Sequence, residues 1–191
     1  FNRRYDVNFS GVRAAIDDGR LGDVEVVKIT SRDPSPPPIE YVKVSGGLFR
    51  DMMIHDFDMA RWLLGEDPVE VSAVGSCLVD PVIGEAGDLD TAMVMMRTAS
   101  GKLAQIDNSR RAVYGYDQRV EAFGSKGMAR AENVPTTTVE VWNGTDVSRE
   151  KPPHFFLERY TEAYRSELDH FVSVVRGESE PAVTTGDGRQ A

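Results

Sequence analysis

Cysteine is almost missing from this sequence of 191 residues, which contains only Cys77. A single thiol cannot form an internal disulfide framework or a cysteine-based zinc cluster, so a reducing compartment such as the cytoplasm is expected. The sequence also lacks any run of about 20 apolar residues and any basic segment followed by an apolar core. We therefore expect a cytoplasmic protein without a membrane partner.

Positive charge is scarce as well. The 22 lysine and arginine residues are outnumbered by 31 aspartate and glutamate residues, which gives a net charge of −9. Binding to nucleic acid or to an anionic membrane requires a basic surface that releases counterions, so neither partner is expected. The basic pairs Arg3-Arg4 and Arg110-Arg111 are too short to change this expectation.

Nucleotide-binding motifs are the third absence. No P-loop occurs, and residues 186–191 match the letters of the dinucleotide fingerprint without the preceding strand of a βαβ unit. No cofactor-binding residue is therefore predicted in this chain. Since the chain begins with Phe1 rather than a methionine, we expect residues 1–191 to be one domain of a longer polypeptide.

The order of elements along the chain favours an α+β fold. Apolar stripes from Phe9 to Leu21 and from Phe156 to Val175 predict a helix near each end. Alternating or β-branched segments between them predict strands at residues 24–29, 69–74, 92–96, 103–106, 118–123, 127–131 and 137–142. Consecutive hairpins without a helical crossover require antiparallel pairing, so we predict an open, mostly antiparallel sheet with helices on one face. The uncovered face predicts a homo-oligomer.

Two connections are predicted to lack regular structure. Three consecutive prolines at residues 36–38 favour an extended, stiff segment. The acidic, glycine-bearing residues 80–90 are typical of a surface loop. The proline segment should lie near the start of the helix that follows it.

That helix, from Gly46 to Gly65, carries the residues that point to chemistry. With a Gly-Gly start and a Gly-Pro stop, a regular helix of about five turns is predicted. At 100° per residue, Asp51, His55 and Asp58 share one narrow arc while apolar residues cover most of the remaining surface. A carboxylate and an imidazole on a buried helix require hydrogen-bonding partners or have a functional role.

Three interpretations of this arc remain open. Asp51 and His55 could be a satisfied buried pair. A metal site that adds Asp58 is a second interpretation, although one helix alone cannot supply three well-angled ligands and no metal is predicted. The third is acid–base chemistry, in which a neighbouring carboxylate favours the charged imidazole and raises the pKa of His55 towards neutrality. Such a pair suits the removal of a hydroxyl proton.

The stretch from Gly46 to Gly65 resembles the catalytic helix of the glucose-fructose oxidoreductase, inositol dehydrogenase and rhizopine catabolism (Gfo/Idh/MocA) family. Four further segments occur in the same order as in the inositol 2-dehydrogenase branch of that family. They are Phe-Asn-Arg-Arg-Tyr-Asp at residues 1–6, Ser-Arg-Asp-Pro at 31–34, Tyr-Gly-Tyr-Asp at 114–117 and Ala-Tyr-Arg-Ser-Glu at 163–167. The resemblance covers essentially the whole chain.

This resemblance implies an NAD-dependent oxidation of a secondary hydroxyl on a cyclic polyol or sugar, with inositol as the expected substrate. Residues 1–191 would form the C-terminal substrate-binding and oligomerisation domain, and NAD, or NADP, would be bound mainly by an N-terminal Rossmann domain. By match to the motif, His55 would accept the hydroxyl proton and Asp51 would orient and charge-stabilise the imidazole. The expected polyol-binding residues are Arg3, Asp33, Met52, Tyr114, Tyr116 and Tyr164.

Two positions depart from the pattern of that branch. Met52 stands where close relatives often carry a small hydroxylated residue, and Ser31 stands where some carry histidine. The identity of the polyol is therefore left open. The competing interpretation of the chain is a non-catalytic module that binds a polyol or assembles with other subunits without a cofactor.

Overall fold

The computed structural model describes all residues 1–191, and its centre is a six-stranded sheet with the strand order β2-β3-β4-β1-β5-β6. The strands of this sheet are β1 (Val24–Arg32), β2 (Pro68–Ser76), β3 (Thr91–Thr98), β4 (Leu103–Ser109), β5 (Asp117–Gly124) and β6 (Gly127–Ala131). A separate two-stranded hairpin joins β7 (Glu140–Trp142) to β8 (Val147–Arg149). All neighbouring strands are antiparallel except β1 and β4, which run parallel.

Seven α-helices and two irregular turns accompany the strands. The helices are α1 (Val7–Asp17), α2 (Ile39–Ser45), α3 (Ile54–Leu64), α4 (Pro81–Glu85), α5 (Phe156–Arg159), α6 (Thr161–Val175) and α7 (Thr185–Gln190). A 3₁₀ turn covers Asn2–Tyr5, and a π-helical turn covers Phe49–Met53 directly before α3. None of these helices is both long and apolar enough to span a membrane.

The core lies between one face of the sheet and helices α1 and α3. Alternate residues of β1, β3 and β4 point into it, and the intervening residues of β3 are exposed. Val27, Val94 and Ile106 from these strands are almost fully buried, as are Met59 and Leu63 from α3. The α+β class, the mostly antiparallel sheet and the placement of helices on one face are confirmed.

The other face of the sheet has no helix over it. Its exposed apolar side chains include Met93, Met95, Phe123 and Met128. The apolar stripe of α6 is exposed too, since Leu168 and Phe171 are more than half accessible. The core of this domain therefore buries only some of its apolar side chains.

Four local predictions differ from the structure. The regular helix predicted from Gly46 to Gly65 is a π-helical turn followed by α3. The long C-terminal helix is interrupted at Tyr160, whose φ of −109° and ψ of 15° end α5 and turn the buried ring towards Phe9 and Tyr116. Helix α4 lies inside the predicted acidic loop, where the Asp80 side chain caps its first turn, and the strand predicted at 137–142 is shortened to β7. Residues 36–38 have no regular structure, as predicted, and helix α2 follows them directly.

Candidate active site

A cleft of about 640 Å³ opens beside the π-helical turn and the proline segment that follows β1. Its volume falls within the range of about 300–1,000 Å³ that is usual for small-molecule sites. The cleft is lined by Asn2, Arg3, Asp33, residues 34–38, Tyr41, Asp51, Met52, His55, Arg110, Tyr116, Phe155, Phe156, Tyr160 and Tyr164. Aromatic rings and prolines form much of its wall, with a few charged groups between them.

Seven of the eight predicted site residues line this cleft, namely Arg3, Asp33, Asp51, Met52, His55, Tyr116 and Tyr164. The exception is Tyr114, which lies outside it. The Tyr114 hydroxyl donates to Asp117 Oδ2 at 2.6 Å and accepts from Arg32 Nη1 at 3.3 Å. These two partners hold Tyr114 at the sheet surface, so the structure does not bring it into the site.

His55 follows the π-helical turn, and its ring packs edge-on against Phe1 with centroids 5.8 Å apart. Its Nδ1 atom is buried without a hydrogen-bond partner. Burial lowers the pKa of His55 to about 3, and the positive charge of Arg3 acts in the same direction. The imidazole is therefore neutral near pH 7, the form in which it can accept a proton.

The expectation that Asp51 raises the pKa of His55 towards neutrality is wrong for this arrangement. Asp51 does act in that direction, but burial and Arg3 outweigh it. The carboxylate of Asp51 is hydrogen-bonded to other residues. Asp51 Oδ1 accepts from the Tyr41 hydroxyl at 2.6 Å and Oδ2 accepts from Arg110 Nη2 at 2.7 Å, and no hydrogen bond joins it to His55.

Asp33 and Arg110 lie next to each other because of the parallel pairing between β1 and β4. The last pair in register is Arg32 with Ser109, so the next residues along the two strands are Asp33 and Arg110. The Asp33 backbone continues the ladder through N–H to Ser109 O at 3.0 Å. Arg110 Nη1 donates to Asp33 Oδ2 at 3.1 Å. Burial raises the pKa of Asp33, and the charge of Arg110 opposes that shift.

A buried polar network holds Arg3 at the floor of the cleft. Arg3 forms an ion pair with Asp56 and donates through Nη2 to Ser31 Oγ at 3.2 Å. Gln118 Nε2 donates to the same Ser31 oxygen at 2.9 Å. Tyr160 completes the network, with its hydroxyl 3.3 Å from Gln118 Oε1. Each of these side chains is nearly inaccessible, which fixes the position of the guanidinium.

Asp58 does not join Asp51 and His55. Its carboxylate pairs with Arg4, which also contacts Asp187 at the start of α7. A π-helical turn contains one residue more than an α-helical turn, so the arc predicted from 100° per residue loses its phase between Asp51 and Asp58. No group of three or more histidine, cysteine or acidic side chains is placed to hold a metal ion.

Sequence reasoning missed Arg110, Tyr41, Tyr160 and Asn2 as residues of the cleft. The sequence presents Arg110 only as half of the basic pair Arg110-Arg111, whereas the structure leaves it only 4% exposed. Knowledge that β1 and β4 run parallel would have placed it beside Asp33, because the carboxyl ends of parallel strands meet at one edge of a sheet. Asn2 resembles His55 in one respect, because its buried Nδ2 atom also has no hydrogen-bond partner.

Comparison with known proteins finds similarity to dehydrogenases over the whole chain. The family model described as the GFO/IDH/MocA C-terminal domain matches residues 9–130. The inositol 2-dehydrogenase of Rhizobium meliloti is 55% identical over 191 residues, which are 100% of this chain and 58% of that protein. The myo-inositol 2-dehydrogenase of Thermotoga maritima is 53% identical over 191 residues, again 100% of this chain and 57% of that protein.

Solved structures give the same result. A myo-inositol dehydrogenase from Corynebacterium glutamicum superposes with a TM-score of 0.94 at 43% identity, covering 98% of this chain and 56% of the other. The scyllo-inositol dehydrogenase from Lactobacillus casei, solved with bound NAD(H) and scyllo-inositol, has a TM-score of 0.88 at 33% identity and covers 99% and 57%. This chain spans little more than half the length of the relatives it matches.

Proposed function

The chain belongs to the GFO/IDH/MocA family, and we propose that it is the substrate-binding and catalytic domain of an NAD-dependent dehydrogenase. In this proposal the enzyme oxidises a secondary hydroxyl of a cyclic polyol, inositol, to the corresponding ketone. The observation that carries the proposal is a cleft that holds a neutral His55 beside the carboxylates of Asp33 and Asp51. The similarity to inositol dehydrogenases supports it.

The polar atoms of the cleft fit a ligand rich in hydroxyl groups. His55 and Asn2 line the cleft, and a hydroxyl group can both donate to an imidazole nitrogen and accept from an amide. Tyr116 and Tyr164 supply flat apolar surface for the ring carbons of a cyclic polyol. The donor and acceptor set thus suits a neutral polyol without a requirement for a metal ligand.

In the proposed mechanism His55 acts as the general base. Oxidation of the carbinol breaks one C–H and one O–H bond and leaves a ketone; His55 would take the proton, and NAD, when bound, would supply the acceptor for the hydride. The remaining hydroxyls donate to Asp33 and Asp51, which orients the reacting carbon. We assign the dinucleotide site mainly to residues outside this chain, because residues 1–191 contain no strand, glycine-rich turn and helix that could hold a pyrophosphate.

The same proposal includes self-association through the uncovered sheet face and a cytoplasmic location. Met93, Met95 and Phe123 form exposed apolar surface on a face without a covering helix, and such surface favours contact with a second copy. The single cysteine, Cys77, suits a reducing compartment.

The proposal is tested on the complete polypeptide that carries this domain. Inositol stereoisomers and related sugars are offered with NAD and with NADP, and formation of the reduced nicotinamide is followed by its absorbance. We expect turnover of at least one inositol, with His55→Gln as the inactive control. Calorimetric binding of the polyol without turnover with either cofactor would instead support a non-catalytic polyol-binding module.

A further inference from the structure

We infer that Arg110 is a positioning residue that holds Asp33 and Asp51 as a paired acceptor for two neighbouring hydroxyl groups of the substrate. The inference deepens the proposed function and rests on it, because it concerns how the same cleft selects a polyol with vicinal hydroxyls over a simple secondary alcohol. Neither the family resemblance nor the composition of the sequence assigns this residue a part in the site.

The contacts of Arg110 are unusual for a residue that follows a strand. Its side chain is only 5% exposed, and its two terminal nitrogens bind two different carboxylates. Nη1 donates to Asp33 Oδ2 at 3.1 Å, and Nη2 donates to Asp51 Oδ2 at 2.7 Å. Since the guanidinium fork is planar and rigid, it sets the separation of the two carboxylates.

Other contacts hold Arg110, Asp33 and Asp51 in place. The Arg110 backbone N–H donates to Asp90 O at 2.8 Å, and the parallel register of β1 and β4 places Asp33 beside it. The Tyr41 hydroxyl holds Asp51 Oδ1 at 2.6 Å. Asp33 Oδ1 accepts no hydrogen bond from the chain, so that oxygen and the remaining lone pairs of Asp51 are available to a ligand in the cleft.

The charge of Arg110 decides whether both carboxylates can accept hydrogen bonds at once. Two ionised carboxylates close together in a partly buried site repel each other, and without a cation one of them retains a proton. A protonated carboxyl donates through one oxygen and no longer accepts there. With Arg110 in place, one cation faces both carboxylates, and two adjacent hydroxyl donors can bind them together.

The test uses the complete polypeptide with Arg110→Met, which keeps much of the apolar stem and removes the charge, and Arg110→Lys, which keeps the charge without the fork. Arg111→Met is the matched control, because Arg111 is exposed and its side chain makes only a 3.5 Å contact with Leu78 O. KM and kcat are measured across pH for the best inositol substrate and for an analogue that lacks one hydroxyl adjacent to the reacting carbon.

We expect Arg110→Met to raise KM for the inositol by about 10- to 100-fold, the loss that one or two charged hydrogen bonds would cause. The changes in kcat, and in KM for the deoxy analogue, should be smaller than this rise. The acid limb of kcat/KM should move to higher pH in Arg110→Met and stay in place in Arg110→Lys. Arg111→Met should behave as wild type.

Wild-type KM and pH dependence in Arg110→Met would overturn the inference, and so would an equal rise in KM for the inositol and its deoxy analogue, which would indicate a general disturbance of the cleft. If Arg110→Met does not fold, as judged by thermal unfolding, Arg110→Lys is the test of the inference. An unchanged KM in Arg110→Lys would overturn the inference that the guanidinium fork positions the two carboxylates, and a raised KM with an unchanged acid limb would support it. An active wild type in either case leaves the proposed function standing, whereas a wild type that oxidises no polyol would refute that function itself.

Discussion

The guanidinium of Arg3 and the carboxylate of Asp56 form an ion pair at the floor of the cleft, with side chains that are 6% and 0% exposed. Asn108 Nδ2 also donates to Asp56 Oδ2 at 2.8 Å, so both oxygens of this carboxylate have partners. Removing two charges from water costs about as much as their attraction returns. The pair therefore fixes the position of Arg3 more than it adds net stability. Removing only one of the two partners destabilises the fold, because it leaves a buried charge without a counter-charge.

Asp56→Asn should destabilise the domain strongly. The substitution keeps the shape of the side chain but leaves the buried Arg3 without a counter-charge, which typically costs about 3–5 kcal/mol of the free energy of unfolding. Urea unfolding followed by circular dichroism measures this difference. The control is Glu162→Gln, because Glu162 pairs with Arg165 at the exposed surface and should contribute less than about 1 kcal/mol. Equal effects of the two substitutions would contradict the burial argument.

The low pKa of His55 predicts a loss of stability in mild acid. The unfolded chain takes up a proton at this histidine below about pH 6.5, whereas the folded domain does so only near pH 3. Between these values acid favours unfolding by up to about 1.4 kcal/mol per pH unit, and the stability from this group is fully present above pH 6.5. His55→Gln removes this contribution.

The measurement compares unfolding free energies at pH 6.5 and pH 4.5. We expect wild type to lose up to about 3 kcal/mol more than His55→Gln over this interval. His154→Gln is the control, since the ring of His154 is exposed, and it should lose as much stability as wild type. If wild type and His55→Gln have the same pH dependence, the imidazole is not held neutral by burial.

Gly115 is a position where the fold requires glycine. Its φ is +125°, and a Cβ there would lie 2.7 Å from the Pro152 carbonyl oxygen. The next residue, Tyr116, donates its N–H to Pro153 O at 2.9 Å, so the two segments are locked together where the chain leads to the Phe155 wall of the cleft.

Gly115→Ala should therefore cost about 1–3 kcal/mol through backbone strain, with additional displacement of the cleft wall. Gly144→Ala is a matched control, because a Cβ at that position meets nothing within 4 Å and its φ is not in the left-handed region. Thermal unfolding of the two variants tests the difference. A Gly115→Ala domain as stable as Gly144→Ala would show that the Pro152 segment gives way freely.

Much of the fold could be predicted because it follows from local patterns. The alternation in β3 and the Ala-Ser-Gly-Lys turn between β3 and β4 are enough to predict that hairpin. The parallel pairing of β1 with β4 could not be predicted in this way. The two strands are separated by about 70 residues of intervening chain, and no periodicity reports which distant strand lies alongside.

The same limit explains which site residues were missed. Asp51 and His55 could be found because they lie on one helix with a recognisable pattern. Arg110 reaches the site through the long-range register of β1 and β4, and Tyr160 reaches it because the helix breaks at that residue. The sequence predicts Tyr114 beside Tyr116 in the site, but the chain turns between them at Gly115, whose φ is +125°, and the Tyr114 hydroxyl donates to Asp117 instead.

The uncovered sheet face predicts self-association of the complete polypeptide. Met95 is 60% exposed on this face, between Ser72 and Gln105 of the neighbouring strands. Met95→Glu should weaken association, because a carboxylate would be buried at the contact without a partner. Sedimentation velocity across micromolar concentrations measures it, with Val113→Glu as a control at an exposed loop position. A wild type that remains monomeric over this range would refute the proposal.

The last prediction concerns how Asp51 and His55 work together during turnover. In the complete enzyme, His55→Ala should lower kcat by a factor of about 10²–10⁴, because the hydroxyl proton then has no positioned acceptor. Asp51 raises the pKa of His55, although burial and Arg3 outweigh it. Asp51→Asn removes that favourable charge, so the pKa of the imidazole falls further.

Activity near neutral pH should fall as well in Asp51→Asn, because a less basic imidazole is a poorer proton acceptor. Since Asp51 acts partly through His55, the two substitutions should be far from additive, and the double variant should resemble His55→Ala. Steady-state kinetics over pH 5–9 measure all three variants, with Glu162→Gln as a control for an exposed carboxylate outside the cleft. A double variant whose loss equals the product of the two single losses would show that Asp51 serves the reaction independently of His55, through Arg110 and the substrate alone.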